Sequence, residues 1–269
     1  MTLGVFDIMH VSAPELKRLK IVSDNTPGPQ LYVDSISALP DALISHILSS
    51  LPTLDAVRTT VLSRRWNNQW TSIQNLDFDE GNDYFRTAHS DRDRFTRFVN
   101  RVLLSRDSSD IQKFTLLFNK AHFRHNPSTA DWICTAVRRN VVALRLEYIA
   151  GTSIQMPRSV FTCKTLRILT LRFIGRYITF DPPTSGCFPS LESLKITVRD
   201  PVEHEMEKLF SFCPKLVNLR VHILGVAAFN FKVSAPELKR LKIVSDNTPG
   251  PQLYVDAPKL ENLDLLYSI

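Results

Sequence analysis

The chain has 269 residues, 43% of them apolar, and carries a formal net charge of +6 with a pI near 9.2. It reads as a folded soluble protein with enough apolar side chains to fill a core. No apolar run approaches the roughly 18–20 residues of a membrane span, and the opening MTLGVFDIMH lacks the basic start and apolar stretch of a secretory signal. No membrane partner is expected, and cytoplasm or nucleus is the expected compartment.

The segment VSAPELKRLKIVSDNTPGPQLYVD occupies residues 11–34 and recurs letter for letter at 233–256. Repeats maintained by packing share mainly their core positions, whereas these copies agree at turn and solvent positions too. The identity ends sharply, with His10 against Lys232 and Ser35 against Ala257 just outside it. A lone strand ahead of the repeats has no neighbouring coil on which to bury Leu16, Leu19 and Ile21. Residues 1–35 are therefore expected to form a leader holding a displaced duplicate, poorly ordered or packed opportunistically. Deleting residues 1–34 is expected to leave partner binding unchanged.

Three short helices are expected next. Pro40 suits a first helical turn, and Leu43, Ile44, Ile47, Leu48 and Leu51 form an apolar stripe. The break at Leu51-Pro52 ends that helix, Thr53 is placed to cap a second carrying Val57, Val61 and Leu62, and Ser63 a third carrying Trp66, Trp70 and Ile73. A unit of about 40 residues seldom sustains a core alone, and this one has large apolar groups on more than one face, so it needs a partner surface.

Downstream, a template of apolar, two free, apolar, one free, apolar recurs at Val141/Leu144/Leu146, Leu166/Leu169/Leu171, Leu191/Leu194/Ile196, Leu216/Leu219/Val221, Leu238/Leu241/Ile243 and Leu260/Leu263/Leu265. Its first members fall at 141, 166, 191, 216, 238 and 260, which are steps of 25, 25, 25, 22 and 22 residues. That spacing is the one leucine-rich repeats show, and Ile111/Phe114/Leu116 adds an earlier strand. FPSL, CPKL, APEL and APKL put a proline two residues before the first leucine, at a turn leading into the strand. DWICTAVRRN and EHEMEKLFSFC have helical periodicity and are assigned to the convex return path. Cys163, Cys187 and Cys213 lie three or four residues before a template leucine, which fits small buried corners better than metal ligands.

The stretch LPDALISHILSSLPTLDAVRTTVLSRRW closely resembles the F-box of the plant F-box/leucine-rich-repeat family, whose members often carry a further FBD domain. RFVNRVLLSRDSSDIQKFTL, DWICTAVRRNV, FTCKTLRILTL and FPSLESLKI are similar to family segments in family order. Leu54 departs from the family, which usually has lysine after LPT, and the FBD segment is expected to be missing.

The resemblance implies an α/β chain: a small three-helix F-box over 36–78, a helical connector over 79–110, and a leucine-rich-repeat solenoid over 111–269. That solenoid would have parallel concave strands and a helical or irregular convex side. It also implies a non-enzymatic substrate receptor of an SCF-type ubiquitin ligase, with the F-box docking on a Skp-type adaptor and through it on a cullin, while the repeats hold a target protein. The residues carried over to the adaptor interface are Leu39, Pro40, Leu43, Ile44, Ile47, Leu48, Leu51, Pro52, Val57, Val61, Leu62 and Trp66. Some of these, Val61 and Trp66 above all, would serve only to hold the helices together. The alternative reading is a free-standing repeat scaffold or decoy with no ligase role.

Side chains alternate along a strand, so the residue between the last two template positions faces the concave side. That position reads Arg145, Thr170, Lys195, Arg220, Lys242 and Asp264, with Arg172, His222 and Arg240 beside it. These seven basic side chains are the candidate contacts for an acidic target, against the plainer reading of an ordinary solvated face. Reversing Arg145, Lys195, Arg220 and Lys242 together is the expected test. Nucleic acid is disfavoured because no aromatic platform accompanies the charge.

No GxSxG elbow or glycine-rich phosphate loop occurs, HEMEK lacks the second histidine of a zinc helix, and His122 and His125 are read as solvated. No catalytic residue, metal or cofactor is expected.

Overall fold

The structure is a computed structural model and describes residues 39–63, 65–86, 93–118, 128–148, 154–174, 178–179, 187–199, 203–225, 230–246 and 252–267. The first copy of the repeated segment, His122 and His125 lie outside these residues.

The described chain is organised on an eight-stranded, wholly parallel sheet. Its strands are β1 (Asn75–Asp79), β2 (Lys113–Phe118), β3 (Ala143–Tyr148), β5 (Ile168–Phe173), β7 (Ser193–Arg199), β8 (Asn218–Leu224), β10 (Arg240–Ser245) and β12 (Asn262–Tyr267), in that spatial order. Order along the sheet follows order along the chain, as a solenoid requires, since each coil buries its apolar edge only against its neighbours. The second and third template residues of every unit from Leu144/Leu146 to Leu241/Ile243 are buried, so the six-letter pattern is the core of the stack.

β1 is one strand more than the sequence reading placed in the ladder. Ile73, Leu76 and Phe78 satisfy the same template and are all buried, and β1 pairs with β2 in register, Leu76 opposite Phe114 and Phe78 opposite Leu116. The pattern was hidden because it falls inside the stretch assigned to the F-box.

The lead-in prolines have a common geometry. Pro189, Pro214, Pro236 and Pro258 each occupy the second position of a turn closed by a hydrogen bond from the template leucine to the residue before the proline: Leu191 to Phe188 (3.3 Å), Leu216 to Cys213 (3.1 Å), Leu238 to Ala235 (3.2 Å) and Leu260 to Ala257 (3.1 Å). Proline fixes the torsion that position needs and gives up an amide the turn does not use.

Return paths carry α5 (Ser128–Arg138), α6 (Arg158–Phe161) and α7 (Glu203–Ser211) in the earlier coils, with a two-residue pairing of β4 (Ile154–Gln155) and β6 (Ile178–Thr179). In the two 22-residue units the return is a strand instead, β9 (Asn230–Ser234) beside β11 (Gln252–Asp256). A strand advances about 3.3 Å per residue and a helix 1.5 Å, so fewer residues span the same width of coil. Cys163, Cys187 and Cys213 are buried at the corners, and the Cys213 thiol donates to the Leu209 carbonyl at 3.2 Å. Among the described residues no group of three His, Cys, Asp or Glu is placed to hold a metal, and no helix is long and apolar enough to cross a membrane.

The helical unit at the start packs directly on the sheet. It comprises α1 (Asp41–Ser49), α2 (Thr53–Arg58) running into a 3-10 turn at Thr59–Val61, and a third helical segment reduced to a 3-10 turn at Gln69–Ser72. Thr53, expected as a cap, is instead the first residue of α2 after Pro52 and is fully buried; its hydroxyl accepts a hydrogen bond from the Asp77 amide at 2.7 Å. It therefore ties the helices to β1. Beyond β1 come the one-turn helix α3 (Asp83–Arg86) and α4 (Arg94–Ser105), and a second tie comes from Arg106 at the end of α4, whose guanidinium donates to the Ile73 and Ser109 carbonyls. Between them, Phe78, Phe85, Phe95, Phe98, Phe114 and Phe118 form a chain of edge and tilted contacts 5.2–6.0 Å apart that reaches Trp132 and Tyr148. Such pairs stabilise beyond the area they bury, so this aromatic chain joins the helices to the first strands of the sheet.

Candidate functional site: two binding surfaces

The first surface lies on α1. Ile44 and Leu48, one helical turn apart, point inward and are sealed from solvent. Leu43 and Ile47, also one turn apart, stand on the adjoining outward face with 50% and 40% of their surface exposed. Asp41, in the first turn, accepts from Arg65 at 2.6 Å and fixes the segment beyond α2 against the start of α1.

The twelve residues expected at an adaptor interface fall into three groups. Pro40, Leu43, Ile47, Pro52 and Val61 are exposed, Val61 to 46%. Leu39, Leu51 and Leu62 are half-buried. Ile44, Leu48, Val57 and Trp66 are core, so of the two residues singled out as internal, Trp66 is and Val61 is not. Leu54, which replaces the usual lysine, is buried, a site where an ammonium would have to reach back to water.

The second surface is the concave face. In register across the sheet run Asp77, Thr115, Arg145, Thr170, Lys195, Arg220, Lys242 and Asp264. Burial pushes the Asp77 carboxyl above its ordinary value, against the attraction of Lys113. Arg145 is not a free cation: Glu147, two residues on and largely buried, accepts from it at 2.7 Å and faces Arg172 at 3.6 Å. His222 meets Asp246 at 3.1 Å, and Arg240 donates to Asn218 at 2.6 Å. Among the described residues Lys195, Arg220 and Lys242 have no ion pair or side-chain hydrogen bond. These three line an open groove of about 590 Å³ together with Thr170, Ser193 and Asn218.

Paired charges elsewhere on the coils sit one repeat apart: Arg167 with Glu192 (3.2 Å), Lys239 with Glu261 (2.9 Å) and Lys259 with Glu237 (2.7 Å). Glu147 and Arg172 obey the same rule. The sequence reading missed these partners, although adding one repeat length to each position would have found them.

A buried-edge solenoid preceded by a helical unit with an exposed apolar face is the architecture of an F-box joined to leucine-rich repeats. Comparison with known families agrees: the F-box domain matches residues 36–78, and the leucine-rich repeats of the FBD-associated F-box protein At5g56370 match residues 129–269. The chain belongs to the plant F-box/LRR-repeat family. It is 34% identical to the Arabidopsis thaliana F-box/LRR-repeat protein At3g26922 over 246 residues, covering 88% of this chain and 76% of that one. It is 30% identical to the F-box/FBD/LRR-repeat protein At5g56420 and 37% identical to the F-box/LRR-repeat protein At4g14103, both from Arabidopsis thaliana, and spans 55% of the length of each. No solved structure matches.

Proposed function

We propose that the chain is the substrate-receptor subunit of an SCF-type ubiquitin ligase: the F-box docks on a Skp-type adaptor and through it a cullin, and the repeats hold the target protein. The observation that carries this is the outward apolar face of α1. Leu43 and Ile47 are half exposed on a helix whose adjoining face, Ile44 and Leu48, already fills the core, so the exposed part of their apolar surface is not used within the described fold. Exposed aliphatic side chains of this kind mark a surface awaiting a partner.

The receptor itself performs no chemistry in this reading. It raises the concentration of the target beside a ubiquitin-charged enzyme held elsewhere on the assembly, so the rate gain comes from proximity. Its site of action is the cytoplasm or nucleus.

Co-purification tests the proposal. The full chain should bring down the Skp adaptor from its native cell, and changing Leu43 and Ile47 to aspartate should abolish that capture. A chain that folds but never captures the adaptor sinks the proposal and leaves the free-standing scaffold.

A further inference from the structure

We infer that Lys195, Arg220 and Lys242 form a binding row for an acidic, extended segment of polypeptide, laid across strands β7, β8 and β10. The inference rests on the proposed role of the repeats as the target-holding half and names what that half recognises.

The three cations are direct neighbours in register, Lys195 opposite Arg220 and Arg220 opposite Lys242. Neighbouring strands are about 4.8 Å apart, and like charges placed opposite each other across a ladder destabilise the sheet. Elsewhere the repeats avoid that arrangement by alternating sign one repeat apart, as Arg167 with Glu192, Lys239 with Glu261 and Lys259 with Glu237 show. On the same concave face, Glu147 bridges Arg145 and Arg172. Three successive units break the rule in one row, and they do so where the face opens into a groove.

The shape of the row selects the ligand. Three cations in line span about 10 Å, two strand spacings, which lies between the roughly 6.6 Å separating same-face carboxylates at i and i+2 of an extended peptide and the roughly 13 Å separating i and i+4, within reach of flexible lysine and arginine stems. Ser193, Asn218 and Asn262 line the same groove and supply hydrogen-bond partners for a peptide backbone. A nucleic acid would want aromatic side chains on which to stack bases, and the groove lining has none. A compact polyphosphate concentrates its charge within a few ångströms, whereas the row spreads three cations over about 10 Å and the fourth cation lining the groove, Arg240, is held by Asn218.

The experiment uses the full chain, expressed together with the Skp adaptor and purified through a tag on the chain, and a fluorescent peptide of ten residues alternating glutamate and aspartate. Its uncharged glutamine and asparagine analogue, a single-stranded oligonucleotide and inositol hexakisphosphate serve as competitors. The variant K195E/R220E/K242E should weaken peptide binding more than tenfold. The rim variant R167E/K239E/K259E reverses the same number of charges and should change it less than twofold. No peptide binding by the parent chain, equal loss in both variants, or tighter binding of the oligonucleotide or inositol phosphate through the same three residues overturns the inference. Adaptor capture is read in the same preparation, so a chain that captures the adaptor and ignores the peptide fails here alone. Loss of adaptor capture from a chain that binds the peptide fails the proposed function alone.

Discussion

On α1, Leu43 and Ile47 stand half in water while Ile44 and Leu48, one residue further on, are sealed; on β8, Leu219 and Val221 are sealed while Arg220 between them faces solvent. Both elements alternate inside and outside, one with the period of a helix and the other with that of a strand. What they leave outside differs. Apolar groups in water are unfavourable by themselves, so on α1 it is the neighbouring pair of exposed aliphatic side chains that supports the proposed docking surface. Charge in water is the ordinary condition of a surface, so on the repeats composition says nothing, and the informative fact is which cations lack a counter-charge.

The contrast can be broken most sharply on α1. Leu43→Asp with Ile47→Asp removes about 1.5–3 kcal/mol of apolar burial per side chain at the proposed interface. Adaptor affinity should fall at least a hundredfold by titration calorimetry while the melting temperature moves by under about 2 °C. Leu48→Ala on the adjoining face should do the reverse, lowering unfolding stability by about 2–5 kcal/mol in a urea titration through the cavity it leaves. If both variants lose stability alike, the outward face is not free and the comparison fails.

A smaller effect sharpens the concave half. Glu147→Gln strips the shared counter-charge from Arg145 and Arg172. The unpaired region then widens toward β3, so binding of the acidic peptide should tighten several-fold, at a cost of about 1–3 kcal/mol in stability. Unchanged peptide binding would show that pairing does not decide which cations are available.

The smallest effect concerns Asp77 at the end of the row. Its folded pKa is raised by burial above the ordinary 3.8, so the folded chain holds that proton more tightly than the unfolded one. The resulting stability is present at low pH and is lost as the pH climbs from about 4 through the raised value. Asp77→Asn should remove that decline, visible as a difference between the two proteins' urea midpoints measured across pH 4–7.

The repeat ladder was legible because burial imposes a strict apolar template, and the template carries its own period. The helix stripe of the F-box was legible for the same reason, but its division into inward and outward residues was not: Leu43 and Ile44 have the same chemistry, and only their angle around α1 separates them. Thr53 was misplaced because a hydroxyl before a helix suits a cap, and nothing local shows that the Asp77 amide claims it first. The concave cations were found in sequence as seven equals. Partners reduced them to three: Glu147 holds Arg145, two residues away, and Arg172, one repeat away, while Asp246 meets His222 and the Asn218 amide oxygen accepts from Arg240, each 22–24 residues away in sequence and adjacent in space.

The change from helices to strands on the return path also bears on the spacing of the coils. Packed helices keep their axes about 8–10 Å apart, whereas β9 and β11 pair at the spacing of β8 and β10 in front of them. Lys242 stands directly opposite Arg220 on the neighbouring strand, so the two side chains leave the sheet one strand spacing, about 4.8 Å, apart. Returning by a strand instead of a helix, the later repeats keep that same spacing behind the sheet as in front of it, with fewer residues in each coil.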